Sequence, residues 1–423
     1  MDFYHSRTLS VAVLLSGCVG VLAWSLLGVS SPAAKPIKVG ILHSLTGTMA
    51  TSEQTVRDAT LMAIDEINAN GGLLGRLIEP VVVDGKSDPK TFAAEAERLI
   101  AAEKVSVIFG CWTSASRKTV RPILEQYQHL LFYPVQYEGL EQSPNIVYTG
   151  AAPNQQILPA VNWCFQHLKA RKFFLVGSDY VFPRTANAII EAQINALRGE
   201  VVGQAYILLG SDRVDAVVKQ IMEAQPDVIL NTINGDSNVA FFTALRRAGV
   251  TSEDIPTMSF SLAESELHGL HAEDIAGDYA AWNYFQSVER EENLAFVQRF
   301  KDKYGPNRVT DDPIEAGYFG VYLWAQAVQD AGTDEVSAVL RNLPNQSFPA
   351  PQGIVSIDAD NGHTWKTVCI GKIRHDGQFD IVWTSGRPLR PVPYPVYRTR
   401  EQWGEFLDNL YRNWGDQWAN PGI

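Results

Sequence analysis

Cysteine is scarce, with four in 423 residues, at Cys18, Cys111, Cys164 and Cys369. The three beyond residue 34 make neither a disulfide framework nor a metal-ligand spacing. One disulfide among them stays open, but small buried hydrophobes is the reading they fit better. Basic charge is also in deficit: 35 Lys and Arg stand against 47 Asp and Glu, a formal net charge of −12. Nucleic acid and anionic membrane surfaces need basic patches. No block of Lys and Arg supplies one, which excludes both as main partners. Beyond residue 34 no second apolar run is long enough to cross a bilayer, so the chain is not itself a channel or permease. What is left is 46% apolar and 19% charged, the composition of a packed globular protein.

Catalytic motifs are missing as well. Val83-Asp84-Gly85-Lys86-Ser87 looks like the end of a phosphate loop, but the first Gly of that motif falls at Pro80. Ser237 has Gly235 before it and Val239 after it, so it does not form a Gly-x-Ser-x-Gly elbow. His268 and His271 lie near Glu266 and Glu273 and offer a metal pair on paper. With no second cluster, a solvated helix end accounts for them better. Nothing assembles a nucleophile, a base and an orienting group, so an enzyme is not expected, nor a cofactor or a metal.

What the chain does contain begins with a leader. Arg7 precedes an uncharged stretch from Thr8 to Ala34, with an apolar centre and small residues at Ser31-Pro32-Ala33-Ala34. That order reads as an export signal. Leu15-Ser16-Gly17-Cys18 adds a lipoprotein-like box, and the apolar run is also long enough to stay as an anchor. A cleaved signal, a lipid anchor and a retained anchor therefore stand side by side for residues 1–34. Each places the folded body outside the cytoplasm, with no membrane span in the mature chain unless the leader is kept.

From Ile37 onward, short β-rich runs alternate with amphipathic helical ones. The spacing predicts strands at 37–42, 78–83, 105–109, 130–133 and 146–148, then a second series starting with a helix at 158–168. Right-handed βαβ units and mainly parallel sheets follow from that alternation. Two series predict an α/β fold of two Rossmann-like lobes, 35–150 with 284–346 and 151–283 with 347–395. Three crossover strands join them, near 150–154, 282–286 and 348–353. Residues 385–397 read as a Pro-rich strap, and 396–423 as a docked C-terminal helix.

Ligands of open α/β sheets bind at the carboxyl ends of the strands. The run Phe109-Gly110-Cys111-Trp112-Thr113-Ser114 occupies such an end and opens a helix, leaving backbone N–H groups unpaired. Four more strand-end loops carry Tyr133, Val135 and Gln136; Tyr180; Asp236; and Glu264. Trp112, Tyr133 and Tyr180 supply flat faces, and the others supply polar groups. Each alone is more often packing. Together they suit a small planar polar molecule closed between domains.

These residues bring out a resemblance. Asp65-Glu66-Ile67-Asn68-Ala69-Asn70-Gly71-Gly72, Gly110-Cys111-Trp112-Thr113-Ser114, Phe132-Tyr133-Pro134, Tyr137-Glu138-Gly139, Gly177-Ser178-Asp179-Tyr180 and Ala350-Pro351-Gln352-Gly353 are similar to the type I periplasmic binding proteins of ABC transporters. Within them the chain resembles the urea and short-chain amide branch. Trp112, Val135 and Glu264 depart from the cytoplasmic amide sensor of that branch, which has Tyr, Thr and Thr there. The resemblance implies capture of urea or a close amide and delivery to an ABC permease. Urea has one carbonyl and four N–H donors. Thr113 and Ser114 are expected to serve the carbonyl with N–H groups and hydroxyls. Ionised Glu264, Asp236 and carbonyls near Val135 are expected to accept from the amide groups. A capping box at Ser261-Leu262-Ala263-Glu264 is the plainer role for Glu264. A branched-chain amino-acid-binding protein and an amide sensor or regulator are the alternatives. If the leader is cleaved, mass spectrometry of the native protein finds a start near Lys35; a lipid-modified Cys18 or an intact Met1 establishes an anchor instead.

Overall fold

The computed structural model describes residues 35–422 apart from His268, His271 and the side chain of Glu273. The expectations for residues 1–34 and for the His268/His271 pair lie outside the described residues. The first series runs β1 (Ile37–His43), α1 (Ala50–Ala69), β2 (Ile78–Asp84), α2 (Pro89–Arg98), β3 (Ile108–Gly110), α3 (Ser114–Tyr127), β4 (Leu131–Tyr133) and β5 (Ile146–Tyr148). Its five strands form one wholly parallel sheet in the order β2-β1-β3-β4-β5.

The second series is α4 (Ile157–Gln166), β6 (Lys172–Ser178), α5 (Val181–Ala196), β7 (Glu200–Ile207), α6 (Asp215–Ala224), β8 (Val228–Thr232), α7 (Ser237–Arg247) and β9 (Thr257–Ser259). The short helices α8 (Glu264–Leu267) and α9 (Ala272–Ile275) then lead to β10 (Tyr279–Trp282). After these come α10 (Glu291–Tyr304), α11 (Asp312–Ala331), α12 (Val336–Asn342), β11 (Ser347–Ala350), β12 (Gly353–Ile357), β13 (Thr364–Trp365), β14 (Cys369–Ile373), β15 (Phe379–Thr384) and α13 (Arg400–Asn413). The second sheet is mixed, β15-β14-β10-β9-β8-β6-β7, antiparallel only where β14 joins β10 and β15.

Apolar periodicity explains the layers. Val56, Ala59, Ala63, Ile64 and Ile67 put one stripe of α1 into the first core, where Phe296 and Phe300 of α10 and Phe319 and Trp324 of α11 also lie. The chain thus returns to the first body after building the second. The second sheet is covered on one face by Ile157, Ile189 and Trp403 and on the other by Ile221, Phe241 and Leu245. Helix α5 begins at Val181 with Pro183 in its first turn, where a missing N–H costs no bond. Cys111, Cys164 and Cys369 are buried free thiols.

The third crossing differs from expectation. It was placed at 348–353, but β11, β12 and β13 pair into a small antiparallel sheet. Ala350, Val355 and Ile357 pack into the first core, so the chain leaves that body only after Trp365. The 347–395 segment is therefore divided between the two bodies. Alternating hairpin residues fit either core on pattern alone; the apolar contacts decide.

Where the three crossings meet, their polar groups are braced together. Gln155 Nε2 donates to Thr364 O (2.9 Å), and Asn283 Nδ2 donates to both Gln155 O and Thr367 O (2.9 Å each). Lys366 Nζ bonds Thr149 O (3.1 Å) and pairs with Asp312 Oδ1 (3.3 Å), and neither side chain of that pair is exposed. Asn283 N donates to the other Asp312 oxygen at 2.9 Å. Lys366→Met leaves Asp312 buried without its cation and is expected to cost about 3–5 kcal/mol. Guanidinium chloride denaturation measures it, and a loss below about 1 kcal/mol, the value of an exposed pair, overturns the brace.

Candidate functional site

Strand β3 stops at Gly110 for a steric reason: a Cβ there would lie 2.1 Å from the carbonyl oxygen of Leu42. Cys111 follows in a left-handed conformation (φ 64°) and lifts the chain out of the sheet. Thr113 caps α3, its Oγ1 accepting from Ser116 N at 3.1 Å. The N–H groups of the first turn have no carbonyl one turn back inside the helix. Tyr133 OH donates to Trp112 O at 2.5 Å and fixes the loop from the neighbouring strand. Trp112 is buried against the first core.

Beneath this loop lies a closed ionic network. The Arg117 guanidinium sits 4.7 Å from the centre of the Tyr133 ring and 4.5 Å from that of Tyr137. It donates to Glu141 (2.9 Å), Glu138 (3.2 Å) and Ser114 Oγ (3.1 Å). Ser114 Oγ in turn donates to Glu138 at 2.5 Å, and Lys118 Nζ reaches Glu141 at 3.0 Å. Burial alone would raise the Glu141 carboxyl, but Arg117, Lys118 and Arg121 outweigh it and hold its pKa well below the usual carboxylate range. Both hydroxyls expected to face a solute carbonyl are thus already engaged. Thr113 and Ser114 offer it only their backbone N–H groups.

The second body meets this surface at several points. Burial, then the nearby Tyr133 and Glu138, push the pKa of the Tyr180 hydroxyl well up. Gln136 reaches across, Nε2 donating to Phe260 O (2.9 Å) and Ser261 Oγ (3.1 Å). Gly235 abuts Thr48: a Cβ on it would stand 3.0 Å from Thr48 O. Trp112, Thr113, Ser114, Tyr133, Gln136 and Tyr180 are therefore gathered around one seam, with Val135 buried in the first core beside them. Asp236 stands apart from it, exposed at the start of α7 and without a capping bond.

Glu264 stands apart too. Its Oε1 accepts from Gln286 N at 2.7 Å. Burial, then Asp311, raise its pKa well above the usual range, which opposes the ionised form expected of it. The capping expectation shifts by two residues: Glu266 Oε2, not Glu264, accepts from Ala263 N at 3.0 Å. Ser265 donates to Asp311 beside it.

Two residues that the strand-end reading did not single out, Thr48 and Ser237, share a feature with Gln136. Gln136 Oε1, Thr48 Oγ1 and Ser237 Oγ are buried with no partner among the described residues. Buried polar atoms are rarely left so, and all three are uncharged. Thr48 had a signal in sequence, since the loop after β1 ends a parallel strand like the others. Among the described residues no group of three His, Cys, Asp or Glu is arranged to hold a metal, and no helix is long and apolar enough to cross a membrane.

The profile of the periplasmic binding protein domain matches residues 37–400. A limonene hydroxylase of Geobacillus stearothermophilus is 36% identical over 118 residues, 28% of this chain, and the chain spans only 22% of that protein's length. Leu/Ile/Val-binding protein homolog 4 of Brucella melitensis is 20% identical over 371 residues, covering 84% of this chain and 88% of that protein. A solved solute-binding protein of an R. palustris ABC transporter, in complex with 4-hydroxybenzoate, superposes with a TM-score of 0.74 at 21% identity, covering 83% of this chain and 97% of the other.

Stability should depend on pH through the buried acids. Burial raises Asp278 to about 7 and Glu315 to about 8, and raises Glu264 well above its usual range. Unfolded, such groups titrate near pH ~4. Between about pH 4 and 8 the unfolded chain therefore holds fewer protons than the folded one, and unfolding free energy falls as pH rises. Below that window Glu141 protonates and its network is lost. Denaturation at several pH values is expected to show a maximum on the acid side of neutrality. A profile rising from pH 5 to 8 would refute it.

Proposed function

The chain belongs to the periplasmic binding protein family, and from that premise we propose that it is the extracytoplasmic receptor of an ABC transporter, closing two lobes on a small solute. The lobes are 36–150 with 284–365 and 151–283 with 366–395, α13 docks on the second, and residues 1–34 direct export or anchor the protein. The permease of the transporter is the protein partner.

One observation supports the reading: strand-end loops of both bodies carry buried polar atoms without a partner among the described residues, on Thr48, Gln136 and Ser237, and the first turn of α3 has open N–H groups. An α-amino acid with an apolar side chain suits this seam. Its carboxylate takes the N–H groups of Thr113 and Ser114, with the favourable end of the helix dipole behind them. Its ammonium takes Gln136 Oε1 and the Thr48 and Ser237 hydroxyls, while Trp112, Tyr133 and Tyr180 wall the rest. The names of the Brucella relative and the aromatic acid in the R. palustris structure support a small carboxylate.

Urea or a short-chain amide is the second reading. It is favoured by the cancelled charge: Arg117 is fully engaged by Glu138 and Glu141, and burial raises the pKa of Glu264. A neutral donor-rich solute needs no free ion. Titration calorimetry with L-leucine, L-isoleucine, 4-hydroxybenzoate, urea and acetamide divides these. Binding of leucine or isoleucine with no heat from urea supports the first reading, and the reverse supports the second. In either case Gln136→Ala is expected to weaken binding by about 10-fold or more, the value of one hydrogen bond in a buried seam plus the lost interlobe bond. Unaltered affinity in that variant overturns the site.

A further inference from the structure

Beyond the last helix the chain turns back across the molecule. Trp418 O accepts from Val181 N at 2.9 Å, Asn420 N donates to Asp179 O at 3.0 Å, and Ala419 bridges Tyr180 in antiparallel fashion. The tail is thus a short edge strand laid on the loop that presents Tyr180. The Asp179 carboxylate is divided between two holders: Arg184 Nε takes Oδ1 and Asn420 Nδ2 takes Oδ2, both at 2.7 Å. Backbone and side chain of the same loop are therefore tied by residues about 240 positions away, the separation of Asp179 and Asn420.

The tail also touches the other body. Lys118 of α3 lies 5.1 Å from the centre of the Trp418 ring on one side and pairs with Glu141 on the other. Tyr411 packs on Trp418 from below, with ring centres 4.6 Å apart. A cavity of about 300 Å³ runs under this contact between α3, the start of α2 and the tail. We propose that the C-terminal tail is a positioning element of the solute site, in which Trp418 and Asn420 hold the Tyr180 loop and, through Lys118, tie it to α3. This rests on the reading that Tyr180 walls the solute. If the tail were merely an appendage of α13, its removal would disturb the second body alone.

Hydrogen–deuterium exchange of the solute-free protein separates the two, and needs no knowledge of the solute. Chain ended after Gln417 is compared with the full chain and with Asn420→Asp, which sets a second carboxylate against Asp179. Expected is exchange about tenfold faster at residues 179–184, the effect of losing one hydrogen bond of ordinary net strength. Faster exchange is also expected at 112–118 and 134–138 of the other body, with β1 and β8 unchanged. Acceleration confined to 179–184, or none, overturns the proposal. Should the shortened chain fail to fold, Asn420→Asp and Trp418→Leu carry the same comparison. A solute screen that finds no binding while exchange spreads as expected would refute the solute reading and leave the coupling standing.

Discussion

The Lys366–Asp312 pair sets the terms for everything else. Three separate crossings of the chain meet there, and each brings backbone carbonyls into a dry place that must be satisfied. Asn283, Gln155 and Lys366 supply donors to all three at once. A buried ion pair is a doubtful source of stability in itself, since dehydrating both ions cancels most of their attraction. Its value here is geometric. It fixes where the two bodies are joined, with groups of all three crossings bonded around it.

Charge is handled in opposite ways on the two sides of the seam. On the α3 side, Arg117 and Lys118 are matched by Glu138 and Glu141, and the Glu141 carboxyl is kept ionised. Around α8, Glu264, Glu266 and Asp311 crowd together without a cation among the described residues, and burial raises the pKa of each.

Much of the fold was legible because parallel βαβ units write themselves into sequence as alternating apolar runs. The strands expected at 78–83 and 146–148 are β2 and β5, and Gly110 marked the turn into α3. The third crossing was not legible, since Phe348 to Ile357 alternate equally well for either core. Strand-end position singled out Trp112, Tyr133, Gln136 and Tyr180 as candidates but not what their neighbours do. The hydroxyl of Ser114 is consumed by Glu138, twenty-four residues on. Glu264 carries the right spacing for a cap and the right type for an acceptor, yet Asp311, far along the chain, decides its protonation. Pairings of that range leave no periodic trace.

Gly235 has a consequence of its own. It faces Thr48 at the point where the second body comes down on the first, in a left-handed conformation (φ 64°) that side chains resist. A Cβ there would press on Thr48 O and Oγ1 at 3.0 Å and on Met49 Sδ at 3.1 Å, so the two bodies come as near at this point as a residue without a side chain allows, and any other residue would need Thr48 or Met49 to give way.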